Sequence, residues 1–153
     1  MPITALLLLN SRSVSQEKSV VAVQVEGARA LSCALAKNSA LEVLRLERSQ
    51  VGDTGAVALA GGLRASRSLR QLELPFNKIG PDGAAALAAA LMPEAGPESG
   101  VCPLKRLNLS HNVLRDLGVT LMEPHLSQAP YLEDLILQDC DIGASGERLS
   151  GSI

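Results

Sequence analysis
The residues able to do chemistry in this 153-residue chain are few. His111 and His125 are its two histidines, and Cys33, Cys102 and Cys140 its three cysteines. Three cysteines cannot all pair with one another and none stands in a CxxC, which argues against a disulfide scaffold and a zinc site. Phosphate-binding and nucleophile motifs are missing too: there is no GxxxxGK[ST] loop, no GxGxxG after a strand, no HExxH and no GxSxG elbow. Asn108-Leu109-Ser110 has the form of a glycosylation sequon, but it falls in a strand of a chain expected to be cytoplasmic, so it is discounted. No enzyme activity, catalytic residue, metal ligand or cofactor is therefore expected. The remaining question is which elements carry these residues and what surface they build.

Those elements repeat. Leu41-x-x-Leu44-x-Leu46, Leu69-x-x-Leu72-x-Leu74, Leu104-x-x-Leu107-x-Leu109 and Leu132-x-x-Leu135-x-Leu137 superpose, and self-similarity on this scale decides the fold. Leucines two apart share one face of an extended strand. Nine residues after the last strand leucine comes Gly55, Gly83, Gly118 or Gly146. Leucines at roughly helical spacing follow the first three: Leu59 and Leu63, Leu87 and Leu91, Leu121 and Leu126. Each unit is thus strand, turn, helix. A helix returns the chain to its starting edge, so successive strands run parallel, through crossovers that are nearly always right-handed.

The run Leu69-Arg70-Gln71-Leu72-Glu73-Leu74-Pro75-Phe76-Asn77-Lys78-Ile79, and Leu104 to Leu114 with Asn112 at the same place, fit LxxLxLxxNxL without a gap. This resembles the ribonuclease-inhibitor-like leucine-rich repeats, and Cys102-Pro103-Leu104-Lys105-Arg106-Leu107 is similar to the join between repeats in that family and in NOD-like receptors. The resemblance covers residues 25 to about 149. It implies an α/β horseshoe of four to five repeats, with a parallel sheet on the concave face and helices on the convex face. It also implies a scaffold, sensor or regulator.

The asparagine position has a physical reason. A buried carboxamide there can give and accept hydrogen bonds at the bend after each strand, where no ladder partner is available. Asn77 and Asn112 fill it, while Ser49 and Cys140 hold it in the outer copies, so the polar ladder should thin towards both ends. Residues between and after the leucines point onto the open inner face. The candidate partner-binding grid there is Val43, Arg45, Glu47, Arg48, Glu73, Phe76, Arg106, Asn108, His111, Asp134, Ile136 and Asp139. Phe76, the single phenylalanine, either contacts a ligand or folds back over the turn onto Ile79. Aromatic and arginine side chains are over-represented at binding hot spots, which sets Arg45, Arg48 and Arg106 beside it. His111 could pair with Asp139 of the next copy, as a solvated or partner-contacting group.

Composition fits one intracellular domain over 1–153. Lys+Arg 14 against Asp+Glu 16, with no tryptophan, gives no basic patch with stacking aromatics, so nucleic acid is a poor partner. The opening Ile3 to Leu9 lacks the flanks of a secretory segment, and no membrane partner is expected. Ile3, Leu6 and Leu8 instead match the strand spacing, making residues 1–24 a degenerate N-terminal segment in which Ser11 to Lys18 reads as a polar loop. Residues 26–37 read as a helix, with Cys33 as core filler. Residues 92–103, rich in proline and glycine, read as an inserted loop on the helix side, with Cys102 the cysteine readiest to react. Repeats run over 25–149 without a C-terminal cap, which would leave Leu135, Leu137 and Leu149 partly in water and open a route to self-association through that end.

The function expected is protein binding through the concave face. Direct inhibition of an enzyme is the alternative, and an inert fragment of a longer repeat protein is the competing reading.

Overall fold
A computed structural model describes residues 13–15, 24–93 and 100–143. Strand and helix alternate along them: β1 (Ser13–Ser15), α1 (Gln24–Lys37), β2 (Val43–Arg45), α2 (Gly52–Ala65), β3 (Gln71–Glu73), α3 (Pro81–Ala89), β4 (Arg106–Asn108), α4 (Arg115–Leu126) and β5 (Asp134–Ile136). The five strands form one parallel sheet in chain order, and the register sets Leu44, Leu72, Leu107 and Leu135 side by side. This is an α/β leucine-rich solenoid with the sheet lining the concave face.

Leucine alternation explains the layering. Leu44, Leu46, Leu72, Leu74, Leu107 and Leu109 are fully buried, each contributing about 2 kcal/mol of apolar burial. The helices close over them with Leu31, Leu35, Leu59, Leu63, Leu87 and Leu91. Small residues let adjacent helices approach: a Cβ at Gly62 of α2 would lie 2.5 Å from the Cα and carbonyl oxygen of Ser32 in α1. The glycine nine residues after the strand leucine is equally confined, since a Cβ at Gly83 would meet Asp53 Oδ1 at 2.5 Å.

That contact reveals how helix ends are satisfied. α2 and α3 lack a side-chain N-cap of their own. Instead Asp53, in the first turn of α2, accepts hydrogen bonds from the N–H groups of Gly80 (2.7 Å) and Gly83 (3.0 Å) at the start of α3. Asp116 in α4 accepts likewise from Gly143 at 2.7 Å. The Asp53 carboxylate thus meets orphan donors and the positive end of the next repeat's helix.

The amide ladder completes the stack. Asn77 Oδ1 accepts from the N–H groups of Ser49 (2.9 Å) and Val51 (3.3 Å), while its Nδ2 donates to the carbonyls of Leu46 and Pro75. Asn112 repeats the pattern one copy later, accepting from Asn77 and Ile79 and donating to Leu74, Leu109 and Ser110. At Cys140 the thiol donates to the Leu109 carbonyl at 3.0 Å. Burial pushes its pKa above the ordinary thiol value, which keeps that proton in place.

Four sequence expectations need correction. Ser13–Ser15, inside the segment read as a polar loop, is strand β1, with Val14 in register with Leu44. The edge of β2 offers backbone groups that any extended segment can pair. Leu121 is exposed, and Met122 fills the core in its place, because Met122 and Leu126 keep the four-residue interval of Leu59 and Leu63. Cys33 is exposed and Cys102 buried, the reverse of the expectation. Cys33 lies two residues from both Leu31 and Leu35, on the far side of α1 from that apolar stripe. Cys102 sits just ahead of Leu104 and joins its core cluster. The helix expected over 26–37 is α1, starting at Gln24. The proposed strand at Ile3, Leu6 and Leu8, residues 94–99 of the inserted loop and Leu149 lie outside the described residues, while Leu132, Leu135 and Leu137 are partly buried against the core.

Replacing Asn77 by alanine strands several buried backbone groups and should lower unfolding free energy by roughly 3 kcal/mol. Cys140→Asn, which restores a carboxamide to the ladder, should raise it by about 1 kcal/mol. Urea titration followed by circular dichroism measures both. A Cys140→Asn chain no more stable than the parent would show that the thiol already satisfies the bend.

Candidate functional site
With the leucines turned inward, the alternate residues of β2 to β5 face outward, in rows that cross the strands with neighbours about 4.8 Å apart. One row runs Val43, Gln71, Arg106, Asp134 and another Arg45, Glu73, Asn108, Ile136. Neighbours in a row pair across the repeats. Arg45 Nε lies 3.1 Å from Glu73 Oε2, and Arg106 Nη1 lies 3.4 Å from Asp134 Oδ2. Arg106 Nε is buried with no acceptor among the described residues. Asn108 Oδ1 accepts from the N–H and hydroxyl of Ser110, so its amide is turned towards the rim of its own strand.

A third row lies past the strand ends, one residue before each ladder position: Arg48, Phe76, His111 and Asp139. All four have left-handed backbone, with φ of 52°, 56°, 56° and 51°. Such a conformation costs a side-chain-bearing residue roughly 1 kcal/mol, and it is imposed by the bend that the ladder holds. The side chains consequently stack along the solenoid. The Arg48 guanidinium lies 4.2 Å over the Phe76 ring centroid, and Phe76 stacks on His111 with centroids 4.1 Å apart and planes 7° from parallel. His111 Nδ1 is 3.4 Å from Asp139 Oδ2, and Arg48 also pairs with Glu47. Phe76 is therefore placed in this rim, with 37 % of its surface exposed. The stack itself was invisible to sequence reasoning, although the equal offset of the four residues from their ladder positions was a usable signal.

The structure thus brings Val43, Arg45, Glu47, Arg48, Glu73, Phe76, Arg106, Asn108, His111, Asp134, Ile136 and Asp139 onto one continuous face and rim. It also adds two ion pairs flanking them, Lys105 with Glu133 and Arg115 with Asp141. His125 is elsewhere, on α4, with Nδ1 2.9 Å from Met92 Sδ. Among the described residues no cluster of His, Cys, Asp and Glu has the geometry to hold a metal ion, and no helix is long and apolar enough to cross a membrane.

The Leucine Rich repeat family model matches residues 37–60, 65–88, 102–122 and 128–146. The chain belongs to the leucine-rich repeat family. No curated protein matches its sequence significantly. Solved structures share its fold at low identity. The leiomodin-1 actin-binding site 2 structure superposes with a TM-score of 0.73 at 18% identity, covering 94% of this chain and 78% of that one. The tropomodulin C-terminal domain of Caenorhabditis elegans gives 0.70 at 16%, covering 97% and 87%.

Three measurements test this geometry. At position 76 the left-handed backbone favours glycine, so Phe76→Gly should be more stable than Phe76→Ala by roughly 1 kcal/mol. Equal stabilities in urea would remove the backbone constraint from the rim. The thiols should separate by burial, with Cys33 alkylated by iodoacetamide long before Cys102 and Cys140. Burial pushes Cys102 up to about 11 from 9.0. The unfolded chain then loses this proton at lower pH than the folded chain does. The contribution to stability is whole below pH 9 and lost as pH rises towards 11, on the order of 2 kcal/mol. Alkaline denaturation that is unchanged in Cys102→Ala would assign the loss to other groups.

Proposed function
We propose that this leucine-rich repeat chain is a protein-interaction module that binds its partner on the concave sheet face and the adjoining rim. The observation that carries the reading is the Arg48, Phe76, His111 and Asp139 row. Four consecutive repeats spend left-handed backbone to present side chains that touch one another across repeats. Packing the core does not require those side chains. Stacking and pairing hold them before a partner arrives, which lowers the ordering cost of association. A face of mixed charge with an aromatic and several arginines has the composition of a binding hot spot. The leiomodin-1 structure of similar fold is an actin-binding site, which supports protein recognition by this architecture.

The test is affinity capture from cell lysate with the parent chain and a variant carrying Arg45→Glu, Phe76→Ala and Arg106→Glu, both first shown to fold by circular dichroism. Proteins held by the parent and lost by the variant are the expected result. Identical capture by both chains would move the site off this face.

A further inference from the structure
The charge on the proposed binding face is unevenly distributed along the solenoid. We take the outward positions from the residue before each strand to the fourth residue after its last leucine. Repeat 1 is balanced there, with Arg45 and Arg48 against Glu42 and Glu47. Repeat 2 sets Arg70 and Lys78 against Glu73, a net of +1, and repeat 3 has Lys105 and Arg106 with no carboxylate, a net of +2. Repeat 4 reverses this with Glu133, Asp134, Asp139 and Asp141 and no cation, a net of −4. A chain with a formal charge of only −2 thus carries a basic centre beside an acidic end on one surface.

We infer that the partner is a protein whose docking surface is acidic where it meets repeats 2 and 3 and basic where it meets repeat 4. This rests on the concave-face reading above and adds the partner's chemistry and orientation to it. The rim supports the acidic assignment. Arg48, Phe76 and His111 use their flat faces on one another, so what they present to a ligand is their edges. The edge of an aromatic ring is its positive side, and a guanidinium edge is a row of N–H donors. A carboxylate oxygen lying along the rim meets donors and positive edges in turn. Arg70 and Lys78 add exposed cations, outside the ion pairs found among the described residues.

Internal pairing does not cancel this surface. The pairs from repeat 3 to repeat 4 are exposed, with 38% and 59% of the Arg106 and Asp134 side chains accessible. Such exposed pairs contribute little free energy, so they do not bar a partner's charge from joining either member. An arginine has five donors and these contacts engage one or two. A partner carboxylate can join Arg106, and a partner cation can join Asp134, with the existing pair left in position. Wrong-way docking would put like charges together, so the step between repeats 3 and 4 fixes direction as well as affinity.

Amide chemical-shift mapping of the full chain at low salt tests this with two probes, a ten-residue glutamate peptide and a ten-residue lysine peptide. The glutamate peptide should shift amides of repeats 2 and 3 and the lysine peptide those of repeat 4. Arg70→Glu with Lys78→Glu, at exposed positions away from the core, should weaken glutamate-peptide binding about five-fold. A glutamate peptide that shifts no amide of this face, or both peptides shifting the same amides, would overturn the inference. So would a short DNA duplex that binds repeats 2 and 3 more tightly than the glutamate peptide, by making phosphate the preferred anion. If these fail while the triple variant still loses its captured partner, the concave face remains the site and only the charge assignment falls.

Discussion
A parallel strand that turns into a helix leaves backbone groups at the bend without ladder partners, and in this chain two buried carboxamides meet that need. Asn77 and Asn112 each bond to their own bend and to the one before it. A bend left unsatisfied in a fully buried position costs about 1–3 kcal/mol per group, enough to separate one repeat from the next. The ladder also fixes where the chain turns. The residue immediately before each ladder position is left-handed in all four copies, so the same bonds that join the repeats aim Arg48, Phe76, His111 and Asp139 along the rim.

Cohesion between repeats is shared rather than local. Asp53 caps the helix of the following repeat, not its own, and the glycines at 80 and 83 leave room for its carboxylate. Asp116 likewise reaches into the following repeat, accepting from the N–H of Gly143. Helix capping, strand pairing and the amide ladder all cross the same boundaries, so no repeat is complete by itself. Coupling of this kind transmits rigidity to the outer face, where exposed ion pairs alone would be too weak to hold side chains in register.

Much of this was legible in the sequence because it depends on periodicity. Leucine spacing located β2 to β5, and the constant offset from the last strand leucine of each copy located the ladder at Ser49, Asn77, Asn112 and Cys140. What stayed hidden depends on which neighbour a side chain meets. Cys33 lies within an apolar run, yet helical phase turns it outward. Cys102 lies in a stretch rich in proline and glycine, yet its position next to Leu104 draws it into the core. Val14 pairs beside Leu44 although serines flank it, because strand pairing answers to the open backbone edge of β2 more than to side chains. The Arg48 to His111 stack joins residues 28 and 35 apart in sequence, and no local pattern reports a contact at that range.

The separation of ladder from rim explains how such a surface can vary while the fold persists. Ladder and leucine positions answer to burial and hydrogen bonding, which admit few side chains. Rim positions answer to a left-handed backbone that glycine adopts freely, aspartate and histidine more readily than most side chains, and β-branched residues least. Arginine, phenylalanine, histidine and aspartate nonetheless occupy equivalent places in four successive repeats, all with left-handed backbone. The identity of each is then set by what it touches: its neighbour along the solenoid, through stacking worth about 0.5–1.5 kcal/mol, and whatever protein approaches the concave face. A change at the rim alters recognition with modest consequence for the fold, whereas a change at the ladder removes the conformation that the rim depends on.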